Sequence, residues 1–365
     1  MCDLPTDVTD ATAYAAAGVS LAAGDAATAR LAPLARATHG PEVPRGLGLF
    51  GGLYDATALK EMGRPLLVSS IDGVGTKTRL AHLTARGADA LAGIGRDLVN
   101  HCVNDVAVQG ARPLFFLDYL AFARLDPDHV AALVGGMAAA CRAVGAALVG
   151  GETAEMPAIY REGEYDVAGC LVGVVEADEL IDGRAVAAGD HLIGLPSSGL
   201  HTNGYTLALR LLPTTERALP DRERAALVDD LLAPHRCYLD DITRLRAAGP
   251  VHGLAHITGG GIAGNLARIV PAGLEARVDA SAWSPPALFA RLQRGGDIGD
   301  DEMYRVFNMG IGLVAVVPPA TAVRTLAATP GARDIGRVVV VEGAPTPATA
   351  DGTSRGRVLM EGVTA

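Results

Sequence analysis

"PLLVSSIDGVGTKT" (Pro65–Thr78) is the stretch on which the reading of the fold turns. An apolar, β-branched run ends on an acid, Asp72, and a glycine-rich loop follows at once. The run reads as a buried strand. The loop has the ingredients of a phosphate cradle. Gly73 and Gly75 allow close backbone approach, Thr76 and Thr78 offer hydroxyls, and Asp72 offers a hard oxygen. Lys77 adds a compact point charge, which suits a phosphate oxygen better than a planar arginine fork does. Lys60 and Lys77 are the only lysines among 31 basic residues. Neither a GxxxxGK[ST] loop nor a strand–GxGxxG–helix is present, so this is not one of the common nucleotide fingerprints. Taken alone, the loop reads equally well as a tight strand-to-helix turn with an exposed lysine.

Working outward, strands and helices alternate. "PLFFLDYLAF" (Pro113–Phe122), "AALVGGE" (Ala146–Glu152) and "YDVAGCLVGVVE" (Tyr165–Glu176) read as strands. "PDHVAALVGGMAAACRAVG" spaces Val130, Leu133, Val134, Met137, Cys141 and Val144 as one helical face, with Pro127 in the first turn. After Glu176 the pattern restarts. "GDHLIGLPSSGLHTNG" and "GLAHITGGGIAGNLARIV" each run strand, glycine-rich turn, helix, and "MGIGLVAVVP" and "RVVVVEG" are further strands. The expected fold class is α/β (α+β) in two domains, 1–176 and 177–365, in keeping with a length of 365 residues. "PRGLGLFGGLYD" (Pro44–Asp55) reads as a mobile glycine-rich segment rather than a core element.

Bulk composition narrows the function. The chain is 49% hydrophobic, enough for an ordinary globular core. A net charge of −10, only 4% aromatic residues and no basic run argue against nucleic-acid binding. Five cysteines without a CxxC pair fit a reducing compartment. The acidic "MCDLPTDVTD" lacks the apolar stretch of a signal peptide, and no apolar run reaches the ~18 residues of a membrane span. The expectation is a cytoplasmic protein with no membrane partner.

Further groups carry chemistry. In "GRDLVNHCVNDVAVQG" (Gly95–Gly110) a helix places Asp97, His101, Asn104, Asp105 and Gln109 on or near one face. The stripe has no Lys or Arg, unlike an ordinary solvated face. Acids gathered without counter-charges suit Mg2+ carrying nucleotide phosphates. In "GGETAEMP" (Gly150–Pro157) Glu152 stands at a glycine turn after a strand, where ligands sit in α/β folds. Glu155 reads equally as an acid at a helix start. "SSGLHTNG" (Ser197–Gly204) and "HITGGG" (His256–Gly261) put backbone amides, hydroxyls and a histidine before a helix, an anion-binding arrangement. Each reads also as an N-cap and loop, and His201 as a loop histidine bonded to backbone.

In this order, "DGVGTK", "VNDVAVQGARPLFFLDY", "LVGGETAEMP", "YDVAGCLVGVVE", "SSGLHTNGY", "HITGGG" and "EMYRVFNMGIG" resemble the phosphoribosylformylglycinamidine cyclo-ligase (aminoimidazole ribonucleotide synthetase) family. The resemblance implies an ATP- and Mg2+-dependent, carbon–nitrogen bond-forming ligase of de novo purine biosynthesis. Its reaction takes formylglycinamidine ribonucleotide and ATP to aminoimidazole ribonucleotide, ADP and phosphate through an iminophosphate. It implies a homodimer whose N-terminal halves contribute strands to an intersubunit β-barrel, with a C-terminal α/β sandwich domain beside it. Metal ligands are then Asp72, Asp97, Asp105 and Glu152. ATP contacts are Gly73, Gly75, Thr76, Lys77 and Asn104, under the segment holding Gly46, Gly48, Gly51 and Gly52. The ribonucleotide meets Ser197, Ser198, Gly199, His201, Asn203, Thr258, Gly259 and Gly260. Asp72, Lys77 and His201 are the catalytic candidates.

The chain departs from the family's expected pattern at Thr202 (serine expected), Ala158 (glycine), Arg30 (lysine nearby) and "NHCVND", where His101 is unexpected; Thr78 and Arg79 are also less usual. Relatives on the same fold fit less well. Selenophosphate synthetase calls for Cys or selenocysteine within 46–52. The hydrogenase-maturation enzyme calls for a C-terminal cysteine, and thiamine-monophosphate kinase is not expected to carry "GGETAEMP". A duplicated cyclo-ligase acting on a related amide in a specialised pathway fits every motif. A non-catalytic binding protein does not fit the retained acids, which are costly to bury without a metal.

Overall fold

The computed structural model describes residues 13–84, 86–217, 219–341 and 355–363. The N-terminal decamer with Cys2, and Glu342 and Gly343 of the last expected strand, lie outside them. Among the described residues the strands are β1 (Pro65–Gly73), β2 (Arg112–Phe122), β3 (Ala147–Glu155), β4 (Tyr165–Glu176), β5 (His191–Pro196), β6 (Gly253–His256), β7 (Leu274–Asp279), β8 (Ile311–Val317), β9 (Arg333–Val340) and β10 (Arg357–Glu361). They form a four-stranded sheet in the order β1-β4-β2-β3 and a six-stranded sheet in the order β10-β7-β9-β5-β8-β6. Mixed α/β architecture is therefore as expected.

The residues fall into two compact units. The first gathers stretches within 1–62, 69–102 and 113–172; the second gathers 63–68, 103–112 and the chain from 173 onward. In the first unit β2 pairs with β3 in parallel, with a register shift at Phe116/Leu117. The helix Pro127–Val144 is bounded as its sequence dictates. Asp126 caps it by accepting from Asp128 N, Pro127 opens it, and Gly145 closes it at φ +69°. Two helices of this unit approach unusually closely. A Cβ on Gly136 would lie 2.0 Å from the Ala92 carbonyl oxygen, and one on Gly95 would lie 2.1 Å from that of Leu133. Glycine at both points is what permits the helix Gly87–Ala107 to seat against Pro127–Val144. On β4, Gly169 leaves room in the same way for Phe116 and Leu98.

The six-stranded sheet of the second unit is covered on both faces. β8 is buried at every position, and its side chains alternate between two cores. Val314 and Val316 join Leu192, Ile335, Val338 and Trp283 on one side. Leu313, Ala315 and Val317 join Ile193, Leu195, Tyr238, Ile242 and Leu245 on the other. A strand buried on both faces reads as a continuous apolar run, which is how "IGLVAVV" appears in the sequence.

One local expectation is corrected. "GGETAE" does not turn after Val149: β3 continues through Glu155, with Asp118 opposite Gly151 and Tyr119 opposite Glu152. A neighbouring strand that offers pairing as far as Phe122 overrides the turn preference of the two glycines.

Candidate active site

In the first unit, the loop after β1 is fastened rather than open. Gly75 takes φ +53°, and Val74 is fully buried. The helix Lys77–Leu83 begins on the lysine. Lys77 is not exposed: its Nζ lies 2.7 Å from Asp97 Oδ2, and both residues are 0% exposed. Lys77, expected as a phosphate contact, and Asp97, expected as a metal ligand, lie against each other, and each charge is held by the other. Asp72, near the end of β1, accepts its neighbour Gly73's N–H at Oδ1 (2.7 Å). Its Oδ2 lies 2.8 Å from Nε2 of the buried His101. The polar stripe of the helix Gly87–Ala107 holds no Lys or Arg of its own. The fold supplies partners from elsewhere.

The glycine-rich segment and Glu152 belong to another part of the first unit. Gly46, Gly48, Gly51 and Gly52 line a cavity of about 630 Å3 together with Leu117, Asp118, Val149–Gly151 and Glu152. The four glycines and Glu152 are exposed. Asp72, Lys77 and Asp97 are not among the cavity's lining residues. Asp72, Asp97 and Glu152 do not converge into a cluster with oxygens within 4.8 Å of one another. Glu155 has a structural task, accepting from Ser20 N (2.7 Å) and Leu125 N (2.8 Å). Asp118 was missed in the sequence, where a lone acid in "PLFFLDYLAF" was the available signal. Burial pushes its carboxyl up to about 7.

In the second unit, Asn104 is held by backbone and by His256, whose Nε2 lies 3.5 Å from its Nδ2. Its Nδ2 donates to Arg236 O (2.8 Å), and its Oδ1 accepts from Tyr238 N (2.8 Å). Expected as an ATP contact, it is a buried clamp on the segment before the helix Leu239–Ala248. Asp105 Oδ1 lies 2.8 Å from His256 Nδ1 at the end of β6.

The two glycine-rich loops of this unit lie side by side. A Cβ on Gly259 would meet Asn203 Oδ1 at 3.3 Å. Gly259 and Gly260 are exposed, and Asn203 is partly so. The first loop is held by Ser197 Oγ, which donates to Gly199 O and Asn308 Oδ1. Asn308 Nδ2 donates back to Gly199 O (2.8 Å), and Ser198 Oγ donates to Pro234 O. His201 is buried at φ +62° and accepts from Ser198 N (3.2 Å). The second loop is held by Asn265, whose Nδ2 donates to the carbonyls of Thr258, Gly259 and Gly261. Thr258 Oγ1 donates to Asn265 Oδ1 (3.1 Å). Asn265 and Asn308 were not singled out as site residues. Each acts on a loop through backbone carbonyls, which leaves no spacing pattern.

The arrangement of sheets and paired glycine loops defines an AIR synthase-type protein. A family model described as "AIR synthase related protein, N-terminal domain" matches residues 54–175, and its C-terminal counterpart matches 187–344. Phosphoribosylformylglycinamidine cyclo-ligase of Trichlorobacter lovleyi is 48% identical over 84% of this chain and 88% of its own length. That of Desulfitobacterium hafniense is 50% identical over 84% and 89%, and that of Xanthomonas oryzae pv. oryzae 49% over 85% and 90%. The chain belongs to the phosphoribosylformylglycinamidine cyclo-ligase family, and the protein is an enzyme of the ligase class.

Among solved structures, a thiamine-monophosphate kinase from Stenotrophomonas maltophilia superposes with a TM-score of 0.64 at 21% identity, covering 92% of this chain and 97% of its own. The hydrogenase maturation protein HypE, in a structure described as a complex with ATP, gives 0.62 at 20% identity over 86% and 87%. Likeness at this identity establishes the fold.

Two outcomes follow. Lys77→Met leaves Asp97 buried without its partner and is expected to cost about 3–5 kcal/mol in urea unfolding. Adding Asp97→Leu should recover much of that loss. A Lys77→Met variant as stable as the parent would show that the pair does not hold the loop. For Asp118, the folded carboxyl keeps its proton to a higher pH than the unfolded one. The folded state therefore binds more protons between about pH 4 and 7, and stability falls as pH rises through that window. Asp118→Asn should flatten this slope, read from urea midpoints at pH 5 and pH 8.

Proposed function

We propose that the protein closes the imidazole ring of aminoimidazole ribonucleotide in de novo purine biosynthesis. It takes formylglycinamidine ribonucleotide and ATP and releases ADP and phosphate. The amide oxygen of the substrate attacks the γ-phosphorus, giving an iminophosphate and ADP. The amidine nitrogen then adds to the activated carbon, and the oxygen leaves with phosphate, so the carbonyl oxygen ends in the phosphate released. The observation that carries this reading is the pair of loops in the second unit, with exposed glycine amides at Gly259 and Gly260 beside Asn203. Amides at helix starts are a general device for phosphate. Identity to cyclo-ligases over most of the chain supplies the reaction.

In this proposal the second-unit loops take the ribose phosphate. Ser198, Asn203, Thr258, Gly259 and Gly260 meet it, while Ser197, Gly199 and the buried His201 shape the loop. ATP lies under Gly46–Gly52 in the first-unit cavity, and the amides of Gly73, Gly75 and Thr76 meet phosphate oxygens. Asp72, Asp105 and Glu152 are each proposed as an oxygen ligand for Mg2+, not as one shared cluster, and the ion when bound neutralises phosphate charge. Their oxygens suit a hard cation. The side chains of Asp72 and Asp105 are partly open to solvent. Lys77 and Asp97 act on the loop through their mutual pair. Residues 1–176 and 177–365 are the proposed functional halves.

We infer a homodimer as well. β1 is an edge strand that exposes Leu67 at 67% and Ile71 at 74% on one side. An exposed apolar edge invites pairing with another chain, in line with a barrel shared between subunits. A cytoplasmic location is proposed. The four described cysteines are free thiols, and among the described residues no helix is long and apolar enough to cross a membrane.

Purified protein supplied with formylglycinamidine ribonucleotide, ATP and Mg2+ should form aminoimidazole ribonucleotide and ADP in equal amounts. Asp72→Asn is expected to lower kcat by at least about 100-fold while circular dichroism and Tm stay near the parent's. A near-normal kcat would remove Asp72 from the site. ADP formed with another amide, but not with this substrate, would assign the chain to a specialised pathway. Leu67→Glu should shift the light-scattering mass from dimer to monomer, and an unchanged dimer would place the interface elsewhere.

A further inference from the structure

Three buried histidines of the second unit stand together, and the reaction proposed above does not use them as a set. His201 comes from the Ser197–Gly204 loop, and His256 from the end of β6. His235 comes from the segment between the helices Asp221–Leu232 and Leu239–Ala248. One nitrogen from each lies within 4.8 Å of the others, and all three residues are at most 5% exposed. The Nε2 atoms of His235 and His256 face each other at 3.0 Å. Both rings are held from behind. His256 Nδ1 lies 2.8 Å from Asp105 Oδ1, and His235 Nδ1 lies 3.2 Å from Thr202 Oγ1. His201 stacks on His235, with centroids 4.1 Å apart and planes 18° from parallel.

We propose that His201, His235 and His256 form a binding site for a divalent transition-metal ion of the Zn2+ class. Imidazole nitrogen suits Zn2+, Ni2+ and Co2+ and is a poor ligand for Mg2+. A tetrahedral ion with Zn–N bonds of about 2.0–2.1 Å sets neighbouring ligand nitrogens about 3.3 Å apart, close to the spacing of the two facing Nε2 atoms. Outer partners on Nδ1, one of them a carboxylate, are the usual means of fixing a metal-binding imidazole and turning its Nε2 inward. His235 and His256 are therefore preset, and His201 completes the set by giving up its bond from Ser198 N and turning its stacked ring about the Cβ–Cγ bond. The ion takes the place of the proton shared between the facing Nε2 atoms, and that proton is released to solvent. Three protein ligands leave a fourth position for water or an oxygen of a small ligand. The bound ion links β6 to the Ser197–Gly204 loop. None of this depends on the cyclo-ligase reading.

The test uses full-length protein stripped of metal by chelator. Calorimetry should show one Zn2+ bound per chain, and Co2+ should give the intense visible absorption of a tetrahedral site. His235→Gln should weaken Zn2+ binding by at least about 100-fold. Thr202→Val, which removes only an outer partner, should weaken it by about 10-fold and serves if His235→Gln does not fold. Asp72→Asn should leave Zn2+ affinity unchanged, which separates this site from the hard-cation role proposed for Asp72. Absence of stoichiometric Zn2+ uptake, a weak octahedral Co2+ spectrum, or binding that survives Thr202→Val and His235→Gln alike would overturn the proposal.

Discussion

A lysine ammonium and an aspartate carboxylate, 2.7 Å apart and closed to solvent, are the constraint on which the glycine loop depends. Removing either ion from water costs several kcal/mol, and only a well-placed partner offsets it. The pair therefore fixes more than itself. Lys77 is the first residue of its helix, so its position decides where the loop stops. Val74 is buried within the same turn, and Asp72 lies two residues before it, near the end of β1. A loop that read as a phosphate cradle is thus held from beneath by a buried charge. Its outward groups are the exposed Gly75 and the partly exposed Asp72, Gly73 and Thr76.

The strands that carry these residues were legible because their signals are local. "PLLVSSID", "PLFFLDYLAF" and "YDVAGCLVGVVE" are apolar runs bounded by breakers. The helix from Pro127 announces its own cap, first turn and terminal glycine. The helical face bearing Asp97, His101, Asn104 and Asp105 was also legible, since it follows from a 100° step. What covers that face was not. Lys77 lies 20 residues before Asp97, His256 lies 151 residues after Asp105, and the backbone that Asn104 clamps is 132–134 residues away. Periodicity reports a polar stripe and says nothing of its partners. Hence the stripe read as uncompensated acids, whereas the fold compensates each of them.

The remaining misses have the same origin. "GGETAE" was read from glycine's local preference for turns, but the pairing of β3 with β2 is non-local and prevails. Asp118 stood inside a strand with no companion acid, and only its place on the wall of the first-unit cavity singles it out. His235, in "APHRCY", belongs to no periodic pattern. Its meaning arises from two other histidines, 34 and 21 residues away in sequence, that converge once the sheet has formed.

Compensation does not make the acids equivalent. Asp97 is closed to solvent and faces a full positive charge. The side chains of Asp72 and Asp105 are 43% and 31% exposed, and each faces an imidazole rather than an ammonium. A cation arriving from solvent would have to displace Lys77 to reach Asp97, leaving a buried ammonium without its partner. At Asp72 or Asp105 it would meet a carboxylate that solvent reaches. The imidazole there need not leave, because a histidine N–H on one oxygen holds the carboxylate in place for a cation on the other. In the proposed site, then, His101 and His256 would position the acids, and the lysine withdraws one acid from the set.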